Sequence, residues 1–128
     1  MKTILLLFSF FMPFSWTTDT DKNLSIIQKA LGEGDATTIG YYFDASVEIK
    51  LVDKQDMLDK AKATEALRGF FLKNKPRAFS TVHQGTSKGN SSHYTIGDLQ
   101  TASGNFRVYI YYKAAGGNFA IQEIRIEK

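Results

Sequence analysis

His83 and His93 are the only imidazoles of the chain, ten positions apart on either side of a glycine- and serine-rich stretch. With a carboxylate such as Asp98 they could in principle hold zinc or a transition metal. The chain lacks any His-x-His or His-Glu-x-x-His spacing. It also lacks cysteine, so a thiolate ligand, a thiol nucleophile and a disulfide are all excluded. The expectation is therefore two hydrogen-bonding histidines, no metal site and no cofactor. Gly85-Thr86-Ser87-Lys88-Gly89-Asn90 has the glycine, hydroxyls and lysine of a phosphate loop. It lacks the Walker spacing and leads into a strand instead of a helix, so it reads as a hairpin loop.

Acid–base catalysis needs a carboxylate or imidazole whose pKa is shifted by its surroundings, with a donor nearby. Between Phe106 and Lys113 the chain alternates strictly, with Phe106, Val108, Ile110 and Tyr112 on one face and Arg107, Tyr109, Tyr111 and Lys113 on the other. Tyr112 is the only phenol on that inner row. No acid in the chain falls where patterning forces burial. His83, Tyr112 and Phe70 are the candidate ligand-contacting residues of an enclosed site. The outer row has the tyrosines and cations that stack single-stranded nucleic acid. A nearly balanced charge argues against that partner. Tyr and Arg are also what protein interfaces enrich, so Arg107, Tyr109 and Tyr111 are read as a homodimer surface.

These groups must be positioned by the rest of the chain. Leu24, Ile27 and Leu31 form a helical stripe from Asn23, stopped at Gly32-Glu33-Gly34. Asp35 is placed to cap a short second helix running through Ile39, Tyr42 and Phe43. Ser46 to Val52 alternates as a half-buried strand, and Asp53 to Asp56 reads as a polar turn. Ala63, Ala66, Leu67, Phe70 and Phe71 then mark the strongest helix, from about Asp59 to Asn74, where Lys75-Pro76 ends it. Ala78–Gln84, Tyr94–Thr101, Phe106–Lys113 and Phe119–Glu127 follow as strands, with turns at Ser103-Gly104-Asn105 and Gly116-Gly117. Two phase slips, near Gln122 or Glu123 and at Gly97, predict bulges that bend the sheet. The fold class is thus α+β: three N-terminal helices packed on a curved antiparallel sheet, an α+β roll.

The first 18 residues carry a different message. Lys2 precedes an almost wholly apolar run from Ile4 to Phe14, and Ser15-Trp16-Thr17-Thr18 follows. That pattern predicts a secretory signal peptide, because eleven residues are too few to span a bilayer, which takes about twenty. Residues 19–128 would then form a single exported domain, periplasmic or secreted, with no membrane contact after cleavage. Losing Lys2 lowers the formal net charge of +3 by one.

The order of elements resembles the nuclear transport factor two-like roll, the fold of ketosteroid isomerase and scytalone dehydratase, and that resemblance implies a cone-shaped roll of cystatin-like architecture. More closely, Phe70–Glu127 resembles a family of small exported bacterial proteins known as a domain of unknown function. Phe70-Phe71, Lys75-Pro76, Phe79, His83-Gln84-Gly85, Tyr94-x-Ile96-Gly97, Gly104-Asn105-Phe106-Arg107-Val108-Tyr109 and Ile121-Gln122-x-Ile124-Arg125 carry that resemblance. It implies helices over the concave face and an outer sheet face of the kind that often dimerises. It implies no catalytic residues. A cystatin-type inhibitor would need Gln-x-Val-x-Gly, whereas Gln84 is followed by Gly85-Thr86-Ser87-Lys88. The functional expectation is non-catalytic binding, of a small apolar ligand or an envelope protein, with self-association through the sheet. The alternative is a small isomerase or hydro-lyase with its site in the cone.

Overall fold

The computed structural model describes residues 19–86, 92–115 and 118–128. The segment expected to be a signal peptide, the expected turn at Gly116-Gly117 and the middle of the expected Gly85–Ser92 loop lie outside the described residues.

The chain begins with α1 (Asp19–Glu33), which buries Leu24, Ile27, Ala30 and Leu31 along one stripe. Gly34 takes φ +71°, the left-handed cap conformation that glycine adopts without penalty, and turns the chain into α2 (Ala36–Tyr41). Asp35 caps α2 by accepting from the Thr38 backbone N–H at 3.1 Å. The second helix stops at Tyr41, two residues short of the expected Phe43. Phe43 instead opens β1 (Phe43–Leu51), where Val47 and Ile49 face the core as the alternation predicts.

The stretch read as a polar turn is a strand, β2 (Lys54–Asp59), antiparallel to β1 around a Val52-Asp53 turn. Its residues are exposed apart from half-buried Leu58, so no buried stripe marks it in the sequence. Charges on an edge strand are a common guard against unwanted pairing. Asp59 then caps α3 (Lys60–Lys73), accepting from the Lys62 N–H at 2.8 Å. The three helices are therefore not a single N-terminal block, since a hairpin separates α2 from α3.

The remaining strands are β3 (Pro76–Thr86), β4 (Ser92–Thr101), β5 (Gly104–Ala115) and β6 (Asn118–Glu127). They form an antiparallel meander, but the full sheet runs β2-β1-β6-β5-β4-β3. β1 and β6 are parallel neighbours. The sheet is thus mixed, not wholly antiparallel, because the β1–β2 hairpin docks beside the last strand.

Bulges curve the sheet, one where expected and others not. Tyr111 faces Glu123 while Tyr112 faces Ile121, which leaves Gln122 as the extra residue of β6. That insertion lets both Ile121 and Ile124 be fully buried. Gly97 is not a bulge, for β4 pairs with β5 without a break from Ser92 to Thr101. Thr95, Gly97 and Leu99 point inward, and Tyr94 and Ile96 point outward. Irregularities fall instead in β3, where Arg77 and Val82 are the extra residues, and in the β1–β6 pairing between Phe43 and Glu48.

The helices pack on the concave side and the core fills the space between. Ile27, Leu31, Ile39, Leu67, Leu99, Ile110 and Ile124 are all fully buried there. Burying each such side chain is worth about 1.5–3 kcal/mol.

Candidate functional site

The three residues expected to share a ligand site are not brought together. Phe70 is on the buried side of α3, edge-on to Phe106 with ring centroids 5.2 Å apart. Tyr112 sits towards the opposite end of β5 from Phe106, beside an open cleft. His83 is on the other side of the sheet. The Val82 bulge reverses the phase of β3, so that Thr81 faces Gly97 but His83 faces outward-pointing Ile96. Tyr94 folds over Gly85, where a side chain would collide with its ring, and its Oη meets His83 Nε2 at 2.7 Å.

This end of the sheet carries an aromatic ladder. Tyr112 is stacked between His93 (5.2 Å, 13°) and Phe119 (4.5 Å, 21°). Tyr42 meets Phe119 edge-on, and its Oη donates to Asn23 Oδ1 at 3.3 Å. His93 Nδ1 and Thr86 Oγ1 are 3.1 Å apart. Burial pushes the Tyr112 phenol above its ordinary range; the Thr95 hydroxyl opposes this and the Asp21 charge adds to it. An open cleft of about 500 Å³ lies here, lined in part by Asp21, Leu24, Gln84, His93 and Tyr112. From sequence His93 stands out only as a metal ligand beside His83, and Tyr42 and Phe119 only as parts of a helix and a strand. His93 follows from carrying the Leu99 phase back along β4 in strict alternation, which the assumed slip at Gly97 concealed.

The concave interior beyond that mouth is apolar, and its only buried polar residues among those described are Thr95 and Thr101. No cluster of His, Asp and Glu able to hold a metal occurs among the described residues. No described helix is long and apolar enough to cross a membrane.

The outer face is ordered in rows that cross the sheet. One row reads Tyr94, Tyr111, Glu123, Glu48, Met57, and the next reads His83, Ile96, Tyr109, Arg125, Lys50, Gln55. A third continues through Asp98, Arg107 and Glu127. Arg107, Tyr109 and Tyr111 are half-buried in this face. Arg107 Nε is 2.8 Å from Asp98 Oδ1. Lys50 Nζ is 2.8 Å from Glu127 Oε1, and that hydrogen bond holds the Glu127 carboxyl below its ordinary range. Arg125 lies over the Tyr109 ring at 5.9 Å and reaches both Glu127 (3.3 Å) and Glu123 (3.6 Å). Burial raises the Glu123 carboxyl above its ordinary range, the Glu48 charge raises it further, and Arg125 opposes both.

Three helices on a bent six-stranded sheet define an α+β roll of the nuclear transport factor two-like class. A nuclear transport factor two-like protein of unknown function from Cytophaga hutchinsonii shares the fold at 10% identity, with a TM-score of 0.59 over 88% of this chain and 90% of that one. Residues 24–127 match the domain of unknown function DUF4783, and the chain belongs to that family. The structure of a DUF4783 family protein from Bacteroides ovatus is 34% identical, with a TM-score of 0.76 over 81% of this chain and 93% of that one. A second, from Bacteroides uniformis, is 31% identical with a TM-score of 0.75, covering 81% and 94%. No curated protein matches the chain.

Proposed function

We propose that this chain is an exported, non-catalytic interaction protein that pairs with a second copy of itself through the outer face of the sheet. The observation that carries this reading is the composition of that face. Its centre is Ile96, Tyr109 and Tyr111, which the described helices leave uncovered on the side opposite the core. Around them Lys50, Arg107, Lys113 and Arg125 balance Glu48, Asp98, Glu123 and Glu127. A face with no net charge meets its own copy without like-charge repulsion, and two-fold pairing requires that self-complementarity. The apolar run before Thr17 supports export. The filled concave interior favours interaction over a ligand or a reaction deep in the cone.

Sedimentation equilibrium of the purified protein tests the reading. A dimer is expected, converted to monomer by Tyr109→Glu, with the fold checked by circular dichroism. A wild-type monomer at all accessible concentrations overturns it.

A further inference from the structure

We infer that the sheet-face association is controlled by pH, through the adjacent carboxylates Glu48 and Glu123. The inference rests on the self-association reading and adds its regulation. The two acids are direct neighbours across the parallel β1–β6 pairing. Like charges placed directly opposite on a sheet repel. Glu123 is also largely covered, its side chain only 25% exposed.

The surrounding groups do not neutralise the pair. From β1, Glu48 faces Glu123, Lys50 follows on the same face, and Asp44 lies beyond the irregularity in the pairing. From β5 comes Tyr111, with Lys113 one step along. Beyond Glu48, β2 presents uncharged Met57 and Gln55 and, at its end, Asp59, whose carboxylate caps α3; Gln55 Nε2 donates to Glu48 Oε1. Lys50 is taken up by Glu127. On β6 itself Arg125 sits 3.6 Å from Glu123, but it also holds Glu127. If Glu123 takes a proton, Arg125 keeps a partner and the repulsion with Glu48 disappears.

A second copy on this face would cover Glu123 further. Covering a carboxylate disfavours its charged form, so association and proton uptake help each other. The carboxyl is already raised by its burial and by Glu48 in the single chain. The sign follows: pairing tightens as pH falls from neutral towards the range where Glu123 protonates. His83 lies on the same face, in the row that runs through Ile96 and Tyr109, so the test also removes it.

The test is the dimer dissociation constant of the wild type, Glu123→Gln and Glu48→Gln at neutral and mildly acidic pH, each also in a His83→Gln background. The wild type is expected to tighten on acidification, by about tenfold for each of the two Glu123 carboxyls of the dimer if each differs by one pKa unit between single and paired forms. Glu123→Gln should pair at neutral pH as the wild type does in acid, with little remaining pH dependence. Glu48→Gln should also tighten pairing at neutral pH. A dimer that Tyr109→Glu abolishes but whose affinity ignores pH and both glutamines removes the switch alone. No dimer in any variant at any pH overturns the switch and the self-association reading together.

Discussion

The ring of Phe79 on β3 lies across Gly97 on β4, in the space that a Gly97 side chain would occupy. A Cβ at position 97 would stand 2.6 Å from the Ser80 carbonyl oxygen, which is backbone and cannot swing aside. Gly97 is therefore needed for close approach and not for a bulge.

Gly97→Ala should destabilise the protein by about 1–3 kcal/mol, the usual range for overpacking a filled site. Urea denaturation measures this directly. Phe79→Ala in the same chain should recover only part of the loss, because the Ser80 carbonyl remains. Full recovery would place the conflict in the ring alone.

Gly40 sets the distance between α2 and α3. A Cβ there would lie 2.7 Å from Thr64 Cγ2 and 2.9 Å from Thr64 Cβ. Alanine in place of glycine ordinarily favours a helix by about 1 kcal/mol. At this position Gly40→Ala should instead lower stability. Thr64 Oγ1 is nearer still, and Thr64→Ala, which removes both Oγ1 and Cγ2, should soften the effect, a coupling that a double-mutant cycle would read.

Asp35 holds the start of α2 through Thr38, and Asp35→Ala should cost about 1 kcal/mol. The hydrogen bond from the Thr38 hydroxyl, followed by that from its N–H, lowers the Asp35 carboxyl below 3.8. A carboxyl lowered on folding adds stability above its unfolded value, and that stability is lost as pH falls through the folded one. The difference in melting temperature between wild type and Asp35→Ala should thus shrink only in strong acid. A difference that persists there would assign the effect to something other than the charged cap.

Tyr112 is both a packing element and a weak acid. Tyr112→Ala should remove about 3–5 kcal/mol, as large buried rings do, whereas Tyr112→Phe preserves both stacks and should cost far less. Ultraviolet titration should show one phenol ionising above the rest, absent in Tyr112→Phe. Its pKa is raised above 10.0 by burial. The stability it contributes is present below that value and is lost as pH rises through the folded one. If Tyr112→Phe leaves the titration unchanged, the high phenol is another.

Patterns with an unbroken period were legible without the structure. The alternation from Phe106 to Tyr112 assigned the inner and outer rows of β5, and the structure keeps both. The stripe of Ala63, Leu67, Phe70 and Phe71 likewise marked the buried side of α3. The apolar slip around Gln122 pointed to a bulge, since only an inserted residue lets Ile121 and Ile124 share a face. Each of these features records burial, and burial is written in the chain as hydrophobic spacing.

Other features depended on partners distant along the chain. β2 is a strand because β1 offers it hydrogen bonds, and its exposed residues leave no apolar trace. The parallel pairing of β1 with β6 joins segments some seventy positions apart in the sequence, such as Lys50 and Arg125. The Val82 bulge, with exposed residues on both sides, sent His83 to the outer face and separated it from Tyr112. Hydrophobic periodicity tells an edge strand neither its neighbour nor its register. Backbone pairing in the folded sheet decided both, and with them which side chains meet.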